Sequence, residues 1–299
     1  MTGRQLPVIQ SGAGAPPIFA RVAIVGLGLI GGSVALAARA LWPTGLVIAV
    51  DRKDVLEQAM LRHAVDVAAD DLVVAAEADL VVLAAPARQN LELLSRLAEV
   101  IPGEAVVTDV TSTKRAIVQA AQSLPSRFTF VGGHPMAGAA VGGFAHARAD
   151  LFRGRPWIFT PATDAAAESV ERLTQFVTAM GAVPSCMSAP AHDRLLAGVS
   201  HLPQLTASAL MSVVGRCAGV EGLSLAGRGL VDTTRLASSP ADIWRDICAT
   251  NADEIGPALD ALIATLQALR ADLPVGAVLA EVFEDAARWR TDLMRGRDT

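Results

Sequence analysis

The sequence predicts a chain of two parts, a doubly wound α/β domain followed by an all-helical domain. Seven short β-rich runs alternate with alanine-rich helical stretches, at residues 22–25, 46–50, 80–83, 105–110, 128–131, 157–159 and 183–187. These runs are continuously apolar rather than alternating, which is typical of a parallel sheet covered by helices on both faces. After Pro190 only helical periodicity remains, so we predict domains at residues 20–188 and 189–299.

Apolar residues of the second part recur every three or four positions, which predicts long amphipathic helices. The two clearest series are Ile255, Leu259, Leu262, Ile263, Leu266, Leu269 and Leu273, and Val278, Val282, Ala286, Trp289 and Leu293. Ser239 and Pro240 predict the N-cap and first position of another helix. Because a small bundle on one sheet cannot bury this much apolar surface, the sequence favours a homodimer, with a plain intramolecular bundle as the alternative.

Composition and charge restrict the class of protein. The 299 residues are 52% hydrophobic and 18% charged, which excludes a disordered or fibrous chain. The net charge is -5 and no dense basic run occurs, so we expect a small-molecule substrate rather than a nucleic-acid partner. The stretch 195–215 carries too many polar residues for a membrane span, and residues 1–19 predict a flexible leader rather than a signal peptide.

The three cysteines, Cys186, Cys217 and Cys248, are odd in number and widely spaced. They predict neither a disulfide framework nor a zinc site, and no other metal site is expected. A reducing cytoplasm fits this cysteine usage best.

A glycine-rich sequence, GLGLIG, directly follows the first predicted strand and begins a helix. Glycines allow a tight turn and a close approach to a pyrophosphate, while the first helical N–H groups attract an anion. Asp51 ends the next strand about 20 residues on, where a carboxylate can accept hydrogen bonds from ribose hydroxyls. The first domain is therefore predicted to be a Rossmann-type dinucleotide-binding domain, contacting its cofactor through Gly26, Gly28, Leu29, Ile30 and Gly31.

The predicted cofactor is NAD, because the Asp51 carboxylate would repel the 2′-phosphate of NADP. The neighbouring Arg52 could hold that phosphate, which leaves use of NADP open, or it could simply begin the next helix in solvent. Pro86, shortly after the strand at 80–83, is a further predicted cofactor contact.

Two polar residues follow predicted strands at the edge where doubly wound sheets bind ligands. Ser112 comes just after the run at 105–110, where it could contact a ligand, cap a helix, or do both. His134 lies in the sequence GGHPMAG, whose small residues let a substrate approach closely. Because this position should adjoin the reactive end of the cofactor, His134 is a candidate catalytic residue.

Together these motifs resemble those of the prephenate dehydrogenase family of tyrosine biosynthesis, which includes cyclohexadienyl and arogenate dehydrogenases. The resemblance covers nearly the whole chain from residue 21. It rests on five sequences in the order of the family: GLGLIGGS at 26–33, TDVTSTK at 108–114, GGHPMAG at 132–138, HDR with VSHLP within 192–203, and DTTRLASSPADIWRDI at 232–247. It implies NAD-dependent oxidative decarboxylation of prephenate to 4-hydroxyphenylpyruvate, or of arogenate to tyrosine.

The resemblance also implies roles for individual residues. The histidine matching His134 acts as a base on the ring hydroxyl, and the serine matching Ser112 hydrogen-bonds around the same hydroxyl. A histidine suits this role, because its ordinary pKa of about 6.5 lies near neutral pH. The implied substrate-binding residues are Arg235, His201, Asp232 and Trp244.

Physical chemistry adds two expectations about these residues. A planar guanidinium suits a substrate carboxylate, and we expect Asp232 to orient Arg235 by an ion pair. His192 and Asp193, in the HDR sequence, are predicted to cap the first helix of the second domain, because Asp in a first turn complements the helix dipole.

Alternatives remain open at two levels. Ala139 and Ala140 stand where many relatives have a hydroxyl residue and a glutamate, so the sequence does not choose between prephenate and arogenate. Dehydrogenases of the β-hydroxyacid or 6-phosphogluconate type have similar domains but use a lysine in the helical part, and residues 188–299 contain none. A non-catalytic NAD-binding sensor is also considered, although it would have no need to keep a base, a hydroxyl partner and an anion-binding arginine together.

Overall fold

The computed structural model describes residues 16–138, 141–162 and 166–295, in which one eight-stranded sheet precedes a helical domain. The strands are β1 (Arg21–Val25), β2 (Leu46–Val50), β3 (Val67–Ala69), β4 (Leu80–Leu83), β5 (Ala105–Asp109), β6 (Phe128–Pro135), β7 (Pro156–Pro161) and β8 (Val183–Cys186). The α-helices are α1 (Leu29–Leu41), α2 (Lys53–Leu61), α3 (Ala87–Val100), α4 (Arg115–Ala121), α5 (Ala167–Ala179), α6 (Ala189–Leu196), α7 (Leu202–Leu223), α8 (Arg228–Thr233), α9 (Ala241–Thr250), α10 (Ala252–Asp272) and α11 (Ala277–Arg295).

The sheet has the strand order β3-β2-β1-β4-β5-β6-β7-β8, which confirms the predicted doubly wound α/β fold. Its pairs are parallel except for β6 with β7, which are antiparallel. The order reverses between β1 and β4, and a crevice for ligands forms at such a reversal. The short edge strand β3 and the direction of β7 are features that the sequence analysis did not predict.

Both faces of the sheet are buried, as the continuous apolar runs indicate. In β1, Val22 and Ile24 belong to one apolar cluster, whereas Ala23 and Val25 belong to the other. The α/β part therefore has two cores, one on each side of the sheet.

The last part of the predicted leader, residues 1–19, already belongs to the apolar core of the α/β domain. Residues 1–15 of the predicted leader lie outside the described residues, but Phe19 is buried and packs edge-on against Phe176, with ring centroids 5.7 Å apart. The guanidinium of Arg172 covers the Phe19 ring at 4.2 Å and donates to the carbonyl of Ile18. The assignment of Phe19 to a flexible leader was wrong, because its ring completes the core beside α5.

The helical domain starts at α6, whose N-cap is Ser188 accepting a hydrogen bond from the backbone N–H of Ala191. The predicted cap at Ser239 is not formed, since its hydroxyl donates to Oε1 of Gln204 and no side chain caps α9. In α10 only Ile255 is buried, and α11 has no buried residue. No described helix is both long enough and apolar enough to cross a membrane.

The turn between β1 and α1 depends on two glycines. Gly26 has a φ of +98°, and a Cβ there would lie 2.6 Å from the backbone nitrogen of Ala85. A Cβ on Gly31 would lie 1.9 Å from the carbonyl oxygen of Gly26, whereas one on Gly28 would meet nothing within 4 Å. Gly26 and Gly31 are therefore required for packing, while Gly28 faces open space.

This difference predicts that alanine is far more destabilising at Gly31 than at Gly28. Gly31→Ala should lower the free energy of unfolding by about 1–3 kcal/mol, because the added methyl overpacks the turn. Gly28→Ala is the matched control: its methyl meets nothing within 4 Å, so it should lower the free energy of unfolding by clearly less than Gly31→Ala. Urea denaturation followed by circular dichroism measures both, and equal stability of the two variants would contradict this account of the turn.

Candidate active site

The predicted cofactor-binding residues lie together at the carboxyl ends of β1, β2 and β4. Gly26 to Gly31 follow β1, Asp51 and Arg52 follow β2, and Pro86 immediately precedes α3. Gly28 is the N-cap of α1 and no side chain caps that helix, so its first N–H groups can bind an anion. With the open space over Gly28, these residues fit the pyrophosphate of a dinucleotide.

The Asp51 carboxylate links the ends of β1 and β2. It accepts hydrogen bonds from the backbone N–H groups of Leu27 and Arg52, the latter at 2.7 Å. The exposed Arg52 side chain lies 3.4 Å from the carboxylate of Asp54. Asp51 is thus held by backbone donors and is not neutralised by Arg52.

His134 is the penultimate residue of β6 and pairs with Ile158 of β7. It is 7% exposed, and Gly133 beside it has no room for a side chain, since a Cβ would lie 2.5 Å from the carbonyl oxygen of Asp109. The buried Lys114 donates to the Gly133 carbonyl at 2.6 Å and to the Asp109 carboxylate. The imidazole is therefore positioned by a part of β6 that pairs with β7 and is held at Gly133 by Lys114.

Ser112 lies in the loop between β5 and α4, at the same edge of the sheet as His134. It is half-buried and its hydroxyl makes no hydrogen bond with the described residues, whereas its neighbours Thr111 and Thr113 do. Among the described residues, the Ser112 hydroxyl therefore has no hydrogen-bond partner that would compete with a ligand.

A buried chain of hydrogen bonds runs from His134 into the helical domain. Its Nδ1 lies 2.8 Å from Nε2 of His192, and Nδ1 of His192 lies 2.8 Å from Oδ1 of Asp193. The Asp193 carboxylate also accepts from the backbone N–H groups of Lys114 and Arg115, at 2.7 and 2.9 Å. His192 and Asp193 are completely buried, although both belong to a helix of the second domain.

The predicted capping role of His192 and Asp193 was wrong. Ser188 caps α6, and Asp193 instead caps α4 of the other domain, whose first N–H groups point at its carboxylate. Position within a helix predicts only a local cap, whereas the partners of His192 and Asp193 are 58 and 79 residues away. The HDR sequence, with a histidine next to an aspartate, was the available signal.

His201 lies at the end of a π-helical turn, Ala197–His201, that connects α6 to α7. Its Nδ1 is 3.3 Å from Nδ2 of Asn251, which also donates to the Asp193 carbonyl. Nε2 of His201 is buried and has no hydrogen-bond partner among the described residues. Trp244, half-buried on α9, packs edge-on against the imidazole with ring centroids 6.0 Å apart.

Arg235 begins a 3₁₀ turn, Arg235–Ser238, and its side chain is exposed. The expected ion pair with Asp232 is absent between these two described residues, because α8 ends at Thr233 and interrupts the helical spacing. Gln204, which the sequence analysis missed, holds this turn against α7 by donating to the Leu236 carbonyl at 2.7 Å.

Burial keeps the two site histidines neutral. It lowers the pKa of His134 well below the ordinary value, and the nearby His192, Lys114 and His201 lower that pKa further. Burial also lowers the pKa of His201 to about 4, although Asp193 opposes the change. At neutral pH both rings are therefore uncharged, and each has one nitrogen that can accept a hydrogen bond.

Burial alone would raise the pKa of Asp193. The hydrogen bonds from His192 and from the backbone of Arg115 and Lys114 outweigh burial, so its pKa is lowered and it stays ionised. Ala139 and Ala140, the departure that bears on the substrate side chain, lie outside the described residues. Among described residues no group of three or more His, Cys, Asp or Glu could hold a metal ion.

Comparisons with known proteins match both domains of this chain. The family model "Prephenate dehydrogenase, nucleotide-binding domain" matches residues 34–185, and "Prephenate dehydrogenase, dimerization domain" matches residues 188–278. A prephenate dehydrogenase of Bacillus subtilis is 37% identical over 83% of this chain and 69% of its own length. A cyclohexadienyl dehydrogenase of Zymomonas mobilis is 32% identical over 94% of this chain and 98% of its own.

Two solved structures are similar over most of the chain. The prephenate dehydrogenase of A. aeolicus, in complex with hydroxyphenyl propionate and NAD+, has a TM-score of 0.82 and 28% identity, covering 91% of this chain and 98% of that one. The arogenate dehydrogenase of Synechocystis has a TM-score of 0.74 and 28% identity, covering 93% of this chain and 99% of that one.

The buried His201 predicts a loss of stability in mild acid. Its pKa of about 4 in the folded chain lies below the value of about 6.5 in an unfolded chain, so protonation favours unfolding. Stability is therefore full above about pH 6.5 and declines as the pH falls towards about 4. The melting temperature should fall between about pH 7 and pH 5, and His201→Asn should reduce this fall.

His63→Asn is the control, because His63 is exposed and has a φ of 52°, which asparagine tolerates. It should keep the wild-type pH dependence of the melting temperature. An equally steep fall in His201→Asn and wild type would show that other groups cause the acid sensitivity.

Proposed function

The chain belongs to the prephenate dehydrogenase family, and we propose that it catalyses NAD-dependent oxidative decarboxylation of prephenate to 4-hydroxyphenylpyruvate, or of arogenate to tyrosine. The observation that carries this proposal is the buried His134, at the same edge of the sheet as the predicted cofactor-binding residues, with its Nδ1 2.8 Å from Nε2 of His192. A neutral imidazole keeps one ring nitrogen without a proton, so it can act as the base that takes a proton from an alcohol.

The base acts on the ring hydroxyl of the substrate. Nε2 of His134 accepts the hydroxyl proton as the oxygen gains carbonyl character, and Ser112 donates a hydrogen bond to the same oxygen. NAD, when bound, supplies the acceptor for the hydride that leaves the ring carbon. The resulting dienone is a vinylogous β-keto acid, so carbon dioxide leaves readily and the ring becomes aromatic.

Residues of the helical domain bind the side chain and the carboxylates of the substrate. Arg235 binds a carboxylate, which its exposed guanidinium and the support of its turn by Gln204 favour. His201 offers a buried Nε2 without a partner among the described residues, and it accepts or donates a hydrogen bond as a neutral ring. Trp244 packs on His201. We assign Trp244 and Asp232 to the residues that line or gate the substrate pocket.

The cofactor preference assigned to the chain is NAD over NADP. Asp51 places a carboxylate at the end of β2, and Arg52 lies against Asp54, which supports repulsion rather than binding of a 2′-phosphate. The open space over Gly28 and the uncapped start of α1 receive the pyrophosphate.

The assembly assigned to the chain is a homodimer formed by the helical domain. Within one chain, several large apolar residues of this domain are more than half exposed, which is costly unless they are covered. Examples are Leu266, Leu273, Phe283, Trp289 and Leu293. Unpaired cysteines at 186, 217 and 248 support a cytoplasmic location.

A direct assay tests the proposed reaction. Purified protein is mixed with prephenate or arogenate and with NAD or NADP, and absorbance of the reduced nicotinamide is followed. We expect a signal with NAD and at least one of the substrates, and a weaker one with NADP. Absence of signal in all four mixtures would refute the proposed activity, and a stronger signal with NADP would refute the role of Asp51.

Replacing the base tests the mechanism. His134→Asn keeps a polar side chain but removes the base, so kcat should fall about 10²- to 10⁴-fold while NAD binding persists. In the wild type, the acidic limb of kcat/KM should lie below the ordinary histidine pKa of about 6.5, because burial and the nearby His192, Lys114 and His201 disfavour the imidazolium. Steady-state kinetics across pH measure both, and a variant that retains kcat and the acidic limb would place the base elsewhere.

A further inference from the structure

His134 makes its only side-chain hydrogen bond among the described residues through Nδ1, to Nε2 of His192. A neutral imidazole carries one proton, which can lie on either nitrogen. A base must present a nitrogen without a proton to the substrate. The function proposed above therefore requires that the proton of His134 be kept on Nδ1.

The Asp193 carboxylate determines which ring nitrogens of His192 and His134 carry protons. An ionised carboxylate only accepts hydrogen bonds, so Nδ1 of His192, 2.8 Å from Oδ1, must carry a proton. A base at His134 carries its own proton on Nδ1, so Nε2 of His192, 2.8 Å away, has to be the acceptor and carries no proton. Nδ1 of His134 must donate to it, and Nε2 of His134 is left with a free lone pair.

We propose that His192 and Asp193 are positioning residues that hold His134 in the tautomer whose Nε2 accepts the substrate proton. This inference rests on the proposed function, since it takes His134 as the base. No covalent change occurs in His192 or Asp193. When His134 takes a proton on Nε2, its Nδ1–H still donates to His192. The new positive charge then lies at one end of a series of hydrogen bonds that ends at the Asp193 carboxylate.

The surroundings of Asp193 hold the carboxylate in place for this task. Backbone N–H groups of Lys114 and Arg115 and the side chain of Arg115 donate to it, and all of these donors belong to the α/β domain. The carboxylate is completely buried and cannot rotate without leaving these donors unpaired. The acceptor at the end of the chain is thus fixed by the backbone of the domain that carries the base.

The tautomer can be observed directly by NMR, independently of activity. The chain has five histidines, so a long-range ¹H–¹⁵N correlation spectrum of ¹⁵N-histidine-labelled wild-type protein is simple enough to assign through His134→Asn and His63→Asn. At neutral pH we expect His134 to show a protonated Nδ1 and an unprotonated Nε2. A proton on Nε2 of His134 would overturn the proposal, whether or not the protein shows dehydrogenase activity.

Kinetics provide the second measurement. His192→Leu removes the acceptor, and kcat should fall about 10- to 100-fold with the KM values for substrate and NAD little changed, as for other residues that orient a functional histidine. His192→Gln has a side-chain oxygen that can accept from Nδ1 of His134, and it should recover much of the lost kcat.

These outcomes separate positioning from a structural role. A kcat of His192→Leu within about twofold of wild type would overturn the proposal, as would equal losses in the leucine and glutamine variants. If His192→Leu fails to fold, the wild-type spectrum still decides. An inactive wild-type protein with the expected tautomer would refute the proposed function, while still showing that the proton of His134 is held on Nδ1.

Discussion

One buried carboxylate, that of Asp193, holds the two domains together. It lies on the first helix of the helical domain, yet most of its donors belong to the start of α4 in the α/β domain. A buried carboxylate is tolerated only when hydrogen-bond donors surround it. Breaking a buried ion pair by removing one partner lowers the free energy of unfolding by roughly 3–5 kcal/mol. The relative position of the domains is therefore set by the need to keep this group paired.

Other contacts across the domain boundary surround this one. Arg115 binds the carboxylate of Asp253 with two of its nitrogens and donates to Asn251, and the hydroxyls of Thr113 and Thr250 lie 2.8 Å apart. Asn251 continues the network to His201. The polar groups around both site histidines thus form one connected arrangement, in which each hydrogen bond limits the freedom of the next.

The sequence predicted most of the sheet, because strands buried on both faces are continuously apolar. It did not predict β3, which has three residues at the edge of the sheet, or the direction of β7, which an apolar run does not encode. The site residues that follow strands were predicted because strand ends meet at one edge. His192, Asp193 and Gln204 were not recognised as parts of the site, since their partners are far away in the chain and periodicity carries no information about them.

The division of the site between two domains has a consequence for recombination. The candidate base comes from β6, while the imidazole and carboxylate behind it come from α6. A chimaera joined at residue 188 would combine a base from one parent with its support from another. Exchange of domains between relatives is therefore limited by the match of a few buried polar atoms, even where the apolar surfaces of the two parents are interchangeable.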